Sequence, residues 1–126
     1  EIHSLTDTFG DPVHMEEPRE GAAEELYLHT GFAEQGVGVV YNERLELGAY
    51  ILFDTQNLPN MLQWKLCKSH DYVAAIEPCN TCGLDRKAAQ EAGKIAILPA
   101  YETVENTIEL GVLDGLSEIR QFIKNI

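Results

Sequence analysis

The sequence predicts an all-β domain, an antiparallel β-sandwich carrying one or two short helices. Three observations predict it. Short apolar or alternating runs follow one another at close spacing, most of them closed by Asn, Asp, Gly or Pro. Helical periodicity is confined to two places, and there is no internal repeat and no low-complexity stretch. The composition is that of a globular chain: 126 residues, 44% hydrophobic and 24% charged, enough for one domain with a real core.

Residues 1–23 read as an irregular N-terminal segment, broken by Gly10, Pro12, Pro18 and Gly21, and residues 24–126 as the β-sandwich domain. Within that domain the strand candidates are residues 24–30 (EELYLHT), 36–42 (GVGVVYN), 47–53 (LGAYILF), 61–67 (MLQWKLC) and 72–76 (YVAAI). The cleanest alternation is late. Val104, Ile108, Leu110 and Val112 share one parity while Glu105, Thr107 and Glu109 share the other, which predicts a half-buried strand whose apolar parity faces the core. Residues 85–92 before Gly93 predict a short helix, and Ile119, Phe122 and Ile123 within residues 117–124 predict a second.

The charge is lopsided, with 21 Asp+Glu against 9 Lys+Arg and a net of −12. Nucleic-acid binding needs clustered Lys and Arg, and an anionic membrane surface needs the same, so both partners are disfavoured. No apolar run has the length of a membrane span, and the first residues have neither a basic nor an apolar leader region. Three cysteines, an odd number, argue for a reducing compartment, so a cytoplasmic protein is expected.

The densest chemical cluster lies between residues 64 and 86. Cys67 and His70 form C-x2-H, and Cys79 and Cys82 form C-x2-C. Three thiolates and an imidazole would suit structural zinc. The run between the pairs reads as a strand, and six extended residues span about 20 Å, which opposes a single site unless the chain folds back. Inert thiols, a metal site and a redox pair all stay open. Glu77, set before Pro78 at the end of an apolar run, is either a general base at the mouth of a sheet or a solvated strand end. Trp64, the single tryptophan, is either a stacking platform for a sugar or a core residue. The four histidines (His3, His14, His29, His70) show no ligand spacing, and no phosphate loop, dinucleotide fingerprint or nucleophile elbow is present.

Taken in order, EELYLH (24–29), LPNMLQWK (58–65), DYVAAIEP (71–78), GLDR (83–86), LPAYE (98–102) and LGVLDG (110–115) resemble the C-terminal part of the galactose mutarotase-like (aldose 1-epimerase) superfamily, in particular its poorly characterised branch. The resemblance covers about residues 24 to 115. It implies part of a larger supersandwich and sugar chemistry that needs no metal or other cofactor. It implies Glu77 as the base that deprotonates the anomeric hydroxyl, with Trp64 and Lys65 flanking the sugar and Asn80 and Arg86 contacting its hydroxyls or orienting Glu77. Two departures accompany it. The family's acid histidines lie upstream and have no match here, and Cys79 and Cys82 occupy a loop where members carry Asn, Ser or Thr. The resemblance thus implies a small-molecule carbohydrate as partner, weak or absent activity for this section alone because the acid is missing, and either self-association or a missing N-terminal half to cover an open apolar face. The competing readings are a zinc-stapled structural domain and a sugar-binding module without turnover.

Overall fold

The computed structural model describes residues 1–7 and 10–126. Seven strands and two helices occur among them. They are β1 (Ile2–Ser4), β2 (Glu24–His29), β3 (Gln35–Asn42), β4 (Leu47–Asp54), β5 (Asn60–Lys68), β6 (Asp71–Cys79), α1 (Arg86–Glu91), β7 (Ile108–Asp114) and α2 (Leu116–Lys124). All strand pairings are antiparallel. A four-stranded sheet has the order β1-β2-β5-β6, and a three-stranded sheet the order β3-β4-β7. The predicted all-β class, with two sheets and two short helices, is therefore what the chain adopts.

Register decides which side chains share a face, because paired residues in an antiparallel ladder point the same way and neighbours along a strand point oppositely. In the four-stranded sheet one face carries Glu25, Tyr27 and His29 of β2 with Met61, Gln63, Lys65 and Cys67 of β5. This inner face meets the three-stranded sheet where Gly38 lies against the Met61 thioether and Ile76, at 2.9 and 3.1 Å from the position a Cβ would take. Beside that meeting point sit Phe53, Ile51 and Met61, all buried. Two aromatics of β4 each lie over a glycine partner. Phe53 covers Gly36 of β3, and Tyr50, on the opposite face, covers Gly111 of β7. Any Cβ at either glycine would stand inside the ring.

The late alternating run is reversed relative to expectation. Strand β7 starts only at Ile108, and its apolar parity is the exposed one, with Ile108 at 45%, Leu110 at 75% and Val112 at 66% exposure. The other parity holds buried Leu113, which shares its face with Tyr50. The reason is that α2 covers that face: Phe122 stacks on Tyr50 with ring centroids 4.5 Å apart, and Ile119 is buried near Gly48. The face carrying Ile108, Leu110 and Val112 is the one that meets the four-stranded sheet through β3 and β4, and that cover does not extend to these three residues. Helix α2 is preceded by Gly115 at its N-cap, whose φ of 94° places it in the region glycine favours. The Glu118 carboxylate accepts from the Asp114 N–H at 2.9 Å, tying the strand end to the first turn.

The N-terminal segment also differs from expectation. Its first residues form β1 on the edge of the four-stranded sheet, too short a strand to show periodicity. Residues 10–19 then run across the inner face of that sheet as a strap. Pro12 accepts from the Gln63 amide at 2.7 Å, Glu16 accepts from the Tyr72 hydroxyl at 2.8 Å, and Arg19 bridges to Lys68. A turn closed by the Asp11 carboxylate, which accepts from the N–H groups of Val13 and His14 at 2.8 and 3.2 Å, sets the strap's course. The strap is irregular because its bonding partners are side chains of the sheet as well as backbone.

Candidate functional site

Two polar assemblies occupy the two faces of the four-stranded sheet. On the inner face, under the strap, Lys65 is 1% exposed and lies 3.7 Å from the Glu25 carboxylate. Its ammonium also donates to the Asp11 carbonyl and stands 5.9 Å from the centre of the Tyr27 ring. The Tyr27 hydroxyl donates to Glu25 and accepts from the Gly10 N–H at 3.2 Å. Gln63 continues the network to His29 at 2.8 Å. No buried side-chain nitrogen or oxygen among the described residues lacks a hydrogen-bond partner, so the network is closed on itself and built for structure.

Burial, followed by the hydrogen bond to Glu25, pushes the Tyr27 phenol up to about 12 from its ordinary 10.0. The neutral phenol is thus the form the fold prefers. Its stabilisation is complete below pH 10.0, where the unfolded chain's tyrosine is still protonated, and is lost as pH rises from there to about 12. Alkaline titration followed by tyrosinate absorbance is expected to show a late-ionising group that is missing in Tyr27→Phe. Urea stability of the native chain should fall over the same interval more steeply than that of Tyr27→Phe.

The second face carries Leu26 and Leu28 of β2, Leu62, Trp64 and Leu66 of β5, and Val73, Ala75 and Glu77 of β6. Trp64 is opposite Ala75, and Glu77 is opposite Leu62, so indole and carboxylate are diagonal neighbours on one face. Trp64 is half-buried and Glu77 exposed. Strand β6 continues through Glu77 and Pro78 to Cys79 rather than ending at Ile76. An edge strand tolerates proline because a missing N–H on its open side costs no ladder bond. Glu77 therefore stands within the strand, its direction fixed by pairing. The Trp64 indole N–H donates to the Glu24 carboxylate at 3.2 Å, an acceptor absent from the sequence-based set. The period-two parity of β2 was the signal that could have found it.

The loop after β6 folds over this same face. Asn60 donates to the Thr81 carbonyl at 2.8 Å, and a Cβ at Gly83 would lie 2.8 Å from the Leu5 side chain. Leu5 pairs with Leu26, which in turn is opposite Trp64. Asn80 is exposed at the start of the loop, and Arg86 is exposed on the first turn of α1, beyond the Asp85 cap. Trp64, Glu77 and this loop thus meet on one side of the sheet. Lys65 does not join them: as the strand neighbour of Trp64 it points to the opposite face and is consumed by Glu25 and Asp11.

The four candidate zinc ligands do not come together. Cys67 and His70 flank the β5–β6 hairpin, with His70 at the tip in a left-handed conformation (φ 73°), while Cys79 and Cys82 lie at the far end of β6. Cys67 is opposite Tyr72, seven positions from Cys79, or about 23 Å of extended chain, far beyond the reach of one tetrahedral ion. Nor do the described residues contain any group of three or more His, Cys, Asp or Glu side chains placed to hold a metal. Burial pushes the Cys79 thiol up, the opposite of what a reactive thiolate requires.

Histidine is likewise remote from Glu77. His3, Leu28, Leu62 and Glu77 form one row across the sheet, which puts His3 three strand spacings, about 14 Å, away. His29 lies on the inner face with Gln63, and His14 pairs with Asp11 at 2.7 Å. Among the described residues no helix is long and apolar enough to cross a membrane.

Fold and site together define a two-sheet antiparallel β protein with an aromatic–carboxylate surface on its four-stranded sheet. The chain belongs to the family described as "Domain of unknown function (DUF4432)", whose model matches residues 4–112. Neither the curated proteins nor the solved structures contain a match to it.

Proposed function

We propose that the Trp64–Glu77 face is a carbohydrate-binding surface of aldose 1-epimerase type, with Glu77 as general base. The observation that carries this reading is the placement of an exposed carboxylate diagonal to a half-buried indole on one sheet face, bordered by the Asn80–Thr81 loop. An indole offers an apolar plane to the C–H face of a pyranose, and a neighbouring carboxylate accepts its hydroxyls. The ordered motif set that resembles the galactose mutarotase-like superfamily supports the same assignment for Glu77.

In the proposed reaction Glu77 takes the proton of the anomeric hydroxyl. The anomeric carbonyl forms as the bond from the anomeric carbon to the ring oxygen breaks, and that oxygen takes a proton from water. Rotation about the bond to the anomeric carbon and reclosure then return both protons and give the other anomer. Solvent serves as the acid because no histidine stands beside Glu77 among the described residues, so the acceleration is small. The test is NMR of a freshly dissolved single anomer of glucose. The native chain is expected to shorten the approach to equilibrium, and Glu77→Gln is expected to remove most of that effect. Equal rates for the two proteins would leave Glu77 without a catalytic role.

A further inference from the structure

Glu24 holds the platform of this site in place. It opens β2 opposite Leu66, one diagonal from Trp64, and its Oε2 accepts the indole N–H at 3.2 Å. The contact fixes the indole's orientation on the sheet, and the second oxygen, Oε1, is left as an acceptor beside the ring. Glu24 and Glu77 lie on the same face as the indole, so a ring resting on it would have a carboxylate to either side. The strands of this sheet carry two cations, and neither offsets that charge. Lys65 points to the opposite face, while Lys68 lies on this face one diagonal from Glu24 but is paired at 3.4 Å with Asp71 of the same face, so that pair leaves the net charge unchanged. Arg86 and Lys87 stand on α1 beyond the loop, with Lys87 at 4.0 Å from Glu91.

We infer that Glu24 is a recognition and specificity residue of this surface: it locks the Trp64 platform, accepts a ligand hydroxyl through its free oxygen, and with Glu77 selects sugars that carry no anionic substituent. This rests on the carbohydrate reading above and adds to it both a residue and a substrate class. Uncharged aldoses and protonated amino sugars are admitted, whereas sugar phosphates and uronic acids are repelled. At separations near 7 Å on an exposed face, where the dielectric is that of water, two carboxylates lower the affinity of an anion about tenfold, and salt screens the effect.

Trp64 is the single tryptophan, so its fluorescence reports the site directly. The full chain is titrated with glucose, glucosamine, glucose 6-phosphate and glucuronate at low and high salt, alongside Glu24→Gln and Glu24→Ala. Glucose and glucosamine are expected to give saturable changes, with the two anionic sugars about tenfold weaker at low salt and nearly level at 1 M salt. Glu24→Gln keeps an acceptor for the indole. It should bind glucose within about threefold of the native chain while narrowing the penalty on anions to about threefold. Glu24→Ala should weaken every sugar and shift the tryptophan emission before any ligand is added. Anionic sugars binding as tightly as glucose to the native chain would overturn the selectivity. Native-like glucose binding by Glu24→Ala would remove Glu24 from the site while leaving the carbohydrate reading intact. A flat response to all four sugars would end that reading and this one with it.

Discussion

Lys65→Ala is expected to destabilise the protein by about 3–5 kcal/mol, because it strands the Glu25 carboxylate in the interior without its cation. Glu25 is 9% exposed, and what would remain to it is the Tyr27 hydroxyl, one neutral donor for a full charge. The loss also releases the Asp11 carbonyl, and with it one of the strap's fixings to β5. A small domain has roughly 5–15 kcal/mol in total, so the variant should sit near the limit of folding. Urea unfolding followed by far-UV circular dichroism measures it, as a fall in midpoint at similar slope. The double change Glu25→Leu with Lys65→Met should cost less than Lys65→Ala alone, since no buried charge is then left unpaired. A Lys65→Ala midpoint equal to that of the native chain would mean the pair is not buried in solution.

Phe53→Ala is the second large loss, at about 3–5 kcal/mol, since it empties the junction between the sheets. Phe53 is 2% exposed, covers Gly36 and meets Phe32 edge-on with centroids 5.3 Å apart. The reciprocal change, Gly36→Ala, drives a methyl into the ring and is expected to cost about 1–3 kcal/mol. Combining Gly36→Ala with Phe53→Leu should cost less than the sum of the two single changes, because the shorter side chain vacates the space the methyl needs. Strict additivity in that cycle would contradict the ring-over-glycine contact.

Most strands were legible because their apolar runs end at strong turn signals, as Asn42-Glu43 and Asp54-Thr55 show. The reversed parity of β7 was not legible. An alternating run states that its faces differ, but which face is covered depends on α2 and on how far the other sheet extends. Nor did Pro78 end β6, since the cost of proline depends on whether the strand is an edge. The opposition of Trp64 and Lys65 follows from the two-residue period alone, and the motif resemblance obscured it by treating the pair as a block. The distance that separates the cysteine pairs was readable from the intervening strand. The inner network was hidden for a different reason: Glu25, Tyr27, Gln63 and Lys65 look like ordinary polar positions until the strap is seen to cover them.

That strap has a consequence for how the chain tolerates change. Its bonds to Lys65 and Gln63 use the carbonyl oxygens of residues 11 and 12, which any amino acid supplies. Substitution there should be forgiving, apart from the turn that Asp11 closes. Length is another matter. Gly10 passes so close to the buried Glu25 carboxylate that a Cβ would have to displace it, while Glu16 and Arg19 must still arrive at Tyr72 and Lys68. Adding or removing one residue between positions 10 and 16 would move every carbonyl out of phase with its partner. The segment is thus permissive in spelling and strict in count.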